Sequence, residues 1–124
     1  MSRIIDDIVE IELNEKKFKA RLDLLALSEA QFYFKQRGLK DITIPSIFKG
    51  IEEENYFIIC NLLIFCIKSV NPQLKMLDIY ADLKFADRNK VVEALISLIN
   101  QSMPKNDDDK KKEEEMENHQ ANED

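Results

Sequence analysis

The chain has 124 residues, of which 44% are hydrophobic and 34% charged, with only two glycines, three prolines and a formal net charge of −6. That length allows one small domain, the apolar share allows a core, and the scarcity of glycine and proline favours helices over a turn-rich β fold. The charge is uneven: from Lys105 onward there are 4 basic and 9 acidic residues, which account for five of the six net charges, so residues 1–104 are nearly neutral. Neither part carries the basic stripe that nucleic-acid binding needs, and a weakly acidic surface does not suit an anionic membrane. No charged-then-apolar leader opens the chain, which predicts a cytoplasmic protein.

Residues 8–13, IVEIEL, alternate, with Val9, Ile11 and Leu13 on one side and Glu10 and Glu12 on the other. Residues 17–22, KFKARL, alternate too, with Phe18, Ala20 and Leu22 opposed to Lys17, Lys19 and Arg21. Two period-two runs around the polar Asn14-Glu15-Lys16 predict an antiparallel hairpin with an acidic strand beside a basic one. A lone hairpin is barely stable in water, so its apolar face must lie on helices. Asp23 can cap a helix from Leu24, and Ser28, with Gln31 three residues on, is a second candidate start. Leu24, Leu27, Ala30 and Phe34 share one face at helical spacing, and Gly38 sits where a helix end favours a left-handed residue. Phe32, Tyr33 and Phe34 in succession cannot all face one core. They either spread over neighbouring elements or leave an aromatic for a partner, and they are the first candidates for a partner contact.

Pro45 can open a short helical turn, PSIFKG, that ends at Gly50. The stretch Glu52-Glu53-Glu54 to Val70 follows, and in residues 56–67 only Asn61 is polar. As a helix that run spans about 18 Å, well short of a hydrocarbon core of ~30 Å, so it predicts a helix buried on nearly all sides rather than a membrane span. The three glutamates suit the positive end of its dipole, Lys68 suits the negative end, and Pro72 stops it. Such a helix needs cover from several directions. The rest of the chain is short of material, so weak self-association is expected. Asn61 calls for a partner, either a backbone group of the same domain or another Asn61 across a subunit contact. Cys60 and Cys66 lie about 120° apart on the helix and cannot pair within it; they read as small buried hydrophobes. Residues 73–83 form a short amphipathic helix with Leu74, Leu77, Ile79, Tyr80 and Leu83, followed by a break near 84–87. Residues 88–102 carry the stripe Val91, Val92, Leu95, Ile96, Leu98 and Ile99, with Arg88, Lys90, Glu93 and Asn100 outside and Pro104 as terminator.

Residues 105–124 have almost no apolar content and cannot offset their ordering entropy, which predicts a disordered acidic tail. The fold class expected is α+β, mostly α: a hairpin on a small helical bundle over residues 1–104, then the tail. No acid, base or nucleophile is placed for catalysis. The one histidine, His119, falls in the tail, and neither a phosphate-binding glycine loop nor zinc-ligand spacing occurs. No enzyme, cofactor or metal site is therefore expected; the glutamates at 52–54 and the aspartates at 107–109 read as solvated charge.

The order of parts, with Val9–Leu13, the turn at Asn14, the strand-into-helix run FKARLDLLAL at residues 18–27 and the closing helix at 91–103, resembles the tail assembly chaperones of long-tailed bacteriophages and prophages. The likeness covers most of residues 5–104. It implies a non-enzymatic protein that binds the tape-measure protein, keeps its hydrophobic helices soluble, recruits tail-tube subunits and leaves before the virion is complete. Glu15 stands where the family's turn often has glycine, which predicts a longer turn, because glutamate disfavours positive φ. The family often also makes a second, longer product by ribosomal frameshift. Lys110-Lys111-Lys112 before Glu113 can be encoded by a run of adenines on which a ribosome slips; the competing reading is a plain solubilising charge block. The alternative to a chaperone is a small acidic cytosolic adaptor or regulatory protein unrelated to phage tails.

Overall fold

Strands β1 (Val9–Leu13) and β2 (Lys16–Ala20) form an antiparallel hairpin at the start of the computed structural model, which describes residues 8–102. The register sets Val9 opposite Ala20, Ile11 opposite Phe18, Glu10 opposite Lys19 and Glu12 opposite Lys17. Ile11, Leu13 and Ala20 are buried, so the apolar face turns inward as the alternation requires. The turn is not the longer one expected. Only Asn14 and Glu15 join the strands, both left-handed at φ 54° and 65°. A two-residue loop with both central residues at positive φ matches the right-handed strand twist, and that match outweighs the local strain on Glu15. β2 also ends earlier than predicted, at Ala20. The Arg21 N–H donates to the Cys66 carbonyl at 3.0 Å, which turns the chain onto the central helix instead of prolonging the ladder.

Helix α1 (Leu24–Gln36) starts at Asp23, whose Oδ1 accepts from the Ala26 N–H at 2.9 Å. Ser28 is inside the helix, its hydroxyl donating to the Leu25 carbonyl, and caps nothing. The buried face is Ala26, Ala30 and Phe34, while Leu24 is 83% exposed, a rotation from the face expected. The other Asp23 oxygen accepts from the Ser69 hydroxyl at 3.0 Å, which clamps the helix start to the end of the central helix. Small residues then face that helix, as close packing requires. At its end Gly38 takes φ 104°, and the Leu39 N–H reaches back to the Phe34 carbonyl at 3.0 Å.

Helix α2 runs over Ile44–Glu52 behind a Thr43 cap. Gly50 does not end it but lies inside, where a Cβ would come within 2.5 Å of Ile58 Cδ1. The glycine lets α2 press against helix α3 (Tyr56–Val70). The glutamates are displaced from their expected role: Glu52 is the last residue of α2, Glu53 its cap and Glu54 a left-handed linker at φ 58°. The Glu54 N–H donates to Ile51 and the Asn55 N–H to Gly50, closing a Schellman-type end with glutamate where glycine is usual. The cap of α3 is Asn55, whose Oδ1 accepts from the N–H groups of Phe57 and Ile58. A neutral amide that bonds two orphan donors does the work expected of the charges.

In α3, Ile58, Ile59 and residues 61–67 are all buried. The hairpin, α1, α2, helix α4 (Met76–Tyr80) and helix α5 (Arg88–Ser102) supply the cover. The chain therefore has enough material to enclose its own central helix, which corrects the expected shortage. α4 is much shorter than residues 73–83: only Ile79 is buried in it, and Leu77 is 79% exposed. A 3-10 turn, Phe85–Asp87, occupies the predicted break and leads into α5, whose Val91, Leu95 and Leu98 are buried while Ile96 is exposed. The fold is α+β, mostly α: one two-stranded sheet and five α-helices among the described residues. Pro104, the acidic tail, Lys110, Lys111, Lys112 and His119 lie outside the described residues.

Two stability outcomes follow. Leu63 is fully buried in α3, so Leu63→Ala should cost ~2–5 kcal/mol in chemical denaturation. Glu54→Gly should raise stability by about 1 kcal/mol, because the left-handed residue makes no use of its side chain in the cap and glycine removes the strain. An unchanged or lowered midpoint for Glu54→Gly would contradict the strain assigned to that turn.

Candidate functional site

Of the four residues singled out for partner contact, the structure buries two. Phe34 is fully buried against the core, and Asn61 is fully buried in α3. The Asn61 Nδ2 donates to the Phe57 carbonyl at 2.7 Å and its Oδ1 accepts from the Tyr80 hydroxyl. The amide is thus satisfied inside one chain and cannot set the register of a subunit contact. The same bond ties α4 to α3. Burial raises the Tyr80 hydroxyl pKa above its ordinary value, with the neighbouring Tyr33 adding to it, so the phenol stays a donor.

Tyr33 is half-buried at the centre of an aromatic cluster. Its ring lies 6.2 Å from Phe57 in a stacked arrangement and 5.6 Å from Phe65 edge-on, and the Arg37 guanidinium sits 4.7 Å above it. Phe32 is 63% exposed and is the one of the three aromatics free for an outside contact. Helical geometry gives the reason: successive residues are ~100° apart, so three in a row span more arc than one core face covers.

Sequence reasoning missed a second surface. An open groove of about 240 Å³ lies between α3, the 3-10 turn and the start of α5. Tyr56 and Cys60 line it from α3, Leu83 and Phe85 from the connection, and Val91 from α5, with Lys84 and Arg88 at the rim. Phe85 is 80% exposed. Its ring is held under the Arg88 guanidinium at 4.3 Å, and an Arg88 N–H donates to its carbonyl at 3.0 Å. A large aromatic in the break between two helical stripes, claimed by neither, was the signal available. The groove is apolar with a cationic rim. It offers contact area and orientation but no acid–base pair.

The turn of the hairpin is anchored far along the chain. The Asn14 Nδ2 donates to Asp82 Oδ1 at 2.9 Å, and the Lys16 ammonium lies 3.4 Å from the same oxygen. The Asn14 hydrogen bond, with help from Lys16, holds the Asp82 carboxyl below its ordinary range although burial opposes it. Burial pushes the Cys60 and Cys66 thiols up, and at Cys66 the charge of Asp23 adds to the effect. Neither is a thiolate near neutral pH, and both are free.

Among the described residues no group of three His, Cys, Asp or Glu side chains is placed to hold a metal ion, and no helix is long and apolar enough to cross a membrane. Comparison with family models, with curated proteins and with solved structures finds no match.

The Asp82 tie gives a pH signature. Its folded pKa lies below the unfolded value of about 3.9, so its contribution is complete above that value and is lost as pH falls through the folded one. Asp82→Ala should cost ~1–2 kcal/mol at pH 7, towards the low end because Lys16 is exposed and water screens it. The gap between variant and parent in urea denaturation should narrow below pH 4; a gap that stays constant down to pH 2.5 would remove the charge from the account.

Proposed function

We propose that this protein is a tail assembly chaperone of the bacteriophage and prophage kind, non-enzymatic and working in the host-cell cytoplasm. In this reading it binds hydrophobic helical segments of a tape-measure protein and helps recruit tail-tube subunits. The observation that carries the reading is the open apolar groove beside Phe85, an aromatic that is 80% exposed. A groove between helices suits an amphipathic helix whose apolar positions recur at i, i+3, i+4 and i+7. The cationic rim of Lys84 and Arg88 suits acidic residues flanking that stripe. The element order adds support: a hairpin runs through Asp23 directly into α1 and then into a bundle, the arrangement on which the sequence resemblance rests. Weak self-association belongs to the same reading, because Leu24, Phe32, Leu77 and Phe85 remain exposed.

Co-expression with the tape-measure protein encoded nearby should keep that partner in the soluble fraction. Phe85→Ala should weaken this rescue several-fold and leave the thermal midpoint nearly unchanged, since an exposed ring contributes little to the core. Equal precipitation of the partner with and without the chaperone would end the reading. Full rescue by the Phe85 variant would move the contact away from the groove.

A further inference from the structure

The two edges of the hairpin differ: that of β2 is partly taken up by α3 and the residue that follows it, that of β1 is not. On the β2 side, the Lys19 carbonyl accepts from the Asn71 side chain at 2.8 Å, and the Arg21 N–H, just past the strand, is bonded to α3. On the β1 side no further strand pairs with the sheet among the described residues. The two-residue turn makes Leu13 and Lys16 a hydrogen-bonded pair, and the alternation of an antiparallel ladder then makes Ile11–Phe18 and Val9–Ala20 bonded pairs as well. The backbone N–H and C=O groups of Glu10 and Glu12 therefore point away from β2. No other group among the described residues bonds them, and both residues are exposed.

That open edge is the floor of a groove. α5 runs alongside β1 and leaves a cleft of about 520 Å³ lined by β1, by Asn14 and Glu15, and by Lys90, Ala94 and Ser97 of α5. A further open volume of about 500 Å³ continues it past Val9 to Asn100 and Gln101. The two volumes together border β1 from Val9 to Glu12, with α5 on the other side. Its charge is one-sided. Glu10, Glu12, Glu15, Asp87 and Glu93 line it, against Lys90 alone.

We infer that the cleft between β1 and α5 is a strand-addition site for an extended basic segment of a partner protein, one that alternates basic and apolar residues and pairs antiparallel with β1. In that pairing the residues directly opposite Glu10 and Glu12 share their face of the sheet and exchange backbone hydrogen bonds with them. Lysine or arginine there gains an opposite-charge cross-strand partner. The residues between would lie on the Ile11 face, towards the apolar side of the hairpin. β2 already shows the pattern β1 accepts, with Lys17 and Lys19 opposite the glutamates and Phe18 opposite Ile11. A second copy of this chain fits less well. On the outer edge of its β2 the Lys19 carbonyl is already bonded to Asn71 and the Arg21 N–H to α3, and its β1 would set glutamate against glutamate across the new ladder. The inference does not depend on the chaperone reading and concerns a different face from the Phe85 groove.

The test uses the full chain, 15N-labelled, and an acetylated and amidated heptapeptide Lys-Val-Lys-Val-Lys-Val-Lys as probe. The expected result is amide shifts confined to β1, Glu15 and the Lys90, Ala94 and Ser97 side of α5. Replacing the peptide's lysines by glutamate should abolish them. N-methylation of the lysine amides, which face β1, should weaken binding at least tenfold, whereas N-methylation of the valine amides, which face away, should leave it within about twofold. Glu12→Pro removes an outward N–H and no ladder bond, so it should lose peptide binding while keeping the parent circular dichroism spectrum; should that variant fail to fold, the two methylated peptides test the same bonds on the unaltered protein. Equal effects of the two methylation patterns would reduce the contact to bulk charge and overturn the site. So would shifts that map elsewhere, or no shifts at millimolar peptide. Concentration-dependent loss of the Glu10 and Glu12 amide signals without peptide would assign the edge to a second copy and overturn the partner named here.

Discussion

An apolar helix without a polar face cannot be left at a surface, and α3 is such a helix. From Ile58 to Ile67 every residue but Cys60 is buried. β2 and the four other α-helices each cover part of that cylinder, and β1 packs on β2 and α5. The hydrophobic term scales with area removed from water, and this run supplies eight of the 22 buried hydrophobic residues, more than any other element. The local compromises follow from that demand. Gly50 sits inside a helix, at a cost in propensity, because α2 must approach Ile58 within the reach of a missing methyl group. Glu54 accepts a left-handed backbone because the α2–α3 connection must turn within three residues.

Polar side chains mark the joints between these covers. Asp23 caps α1 with one oxygen and holds Ser69 with the other; Asn71 reaches the Lys19 carbonyl; Asn14 reaches Asp82; Asn61 reaches Tyr80. Apart from the cap, each bond joins segments that are remote in sequence. Apolar packing is non-directional and would tolerate several rotations of the hairpin and α1 about α3. Hydrogen bonds with required partners do not tolerate them, because an orphaned donor or acceptor in a partly buried site costs its desolvation. These few residues select one arrangement from the set that hydrophobic burial alone permits.

Two clefts on the described surface are unlike each other. One is apolar with a cationic rim, beside Phe85; the other is an open strand edge with a carboxylate lining, beside β1. α5 forms a wall of both, with Arg88 and Val91 turned to the first and Lys90, Ala94 and Ser97 to the second. An occupant of either cleft therefore leans on the same helix, and the two charge patterns keep their ligands distinct.

Much of this architecture was legible in the order of residues. Period-two alternation at 8–13 and 17–22 located the hairpin, an unbroken apolar run located α3, and the stripe from Val91 to Ile99 located α5, because each pattern is a local record of which side meets water. Asp23 as a cap and Gly38 as a helix end were legible for the same reason: their chemistry acts within a turn of themselves. What tertiary structure decided was everything that depends on a neighbour remote in sequence. Glu15 entered a two-residue turn because the strands it joins twist together. Leu24 was turned outward because Ser69 holds Asp23. Phe34 and Asn61 left the candidate contact surface because α3 and Tyr80 close over them, and Phe85 joined it because no helix buries its ring. Composition and spacing determine which residues must be hidden. Only the packed chain determines which neighbour hides them, since that choice rests on hydrogen bonds and close approaches between segments up to 68 residues apart.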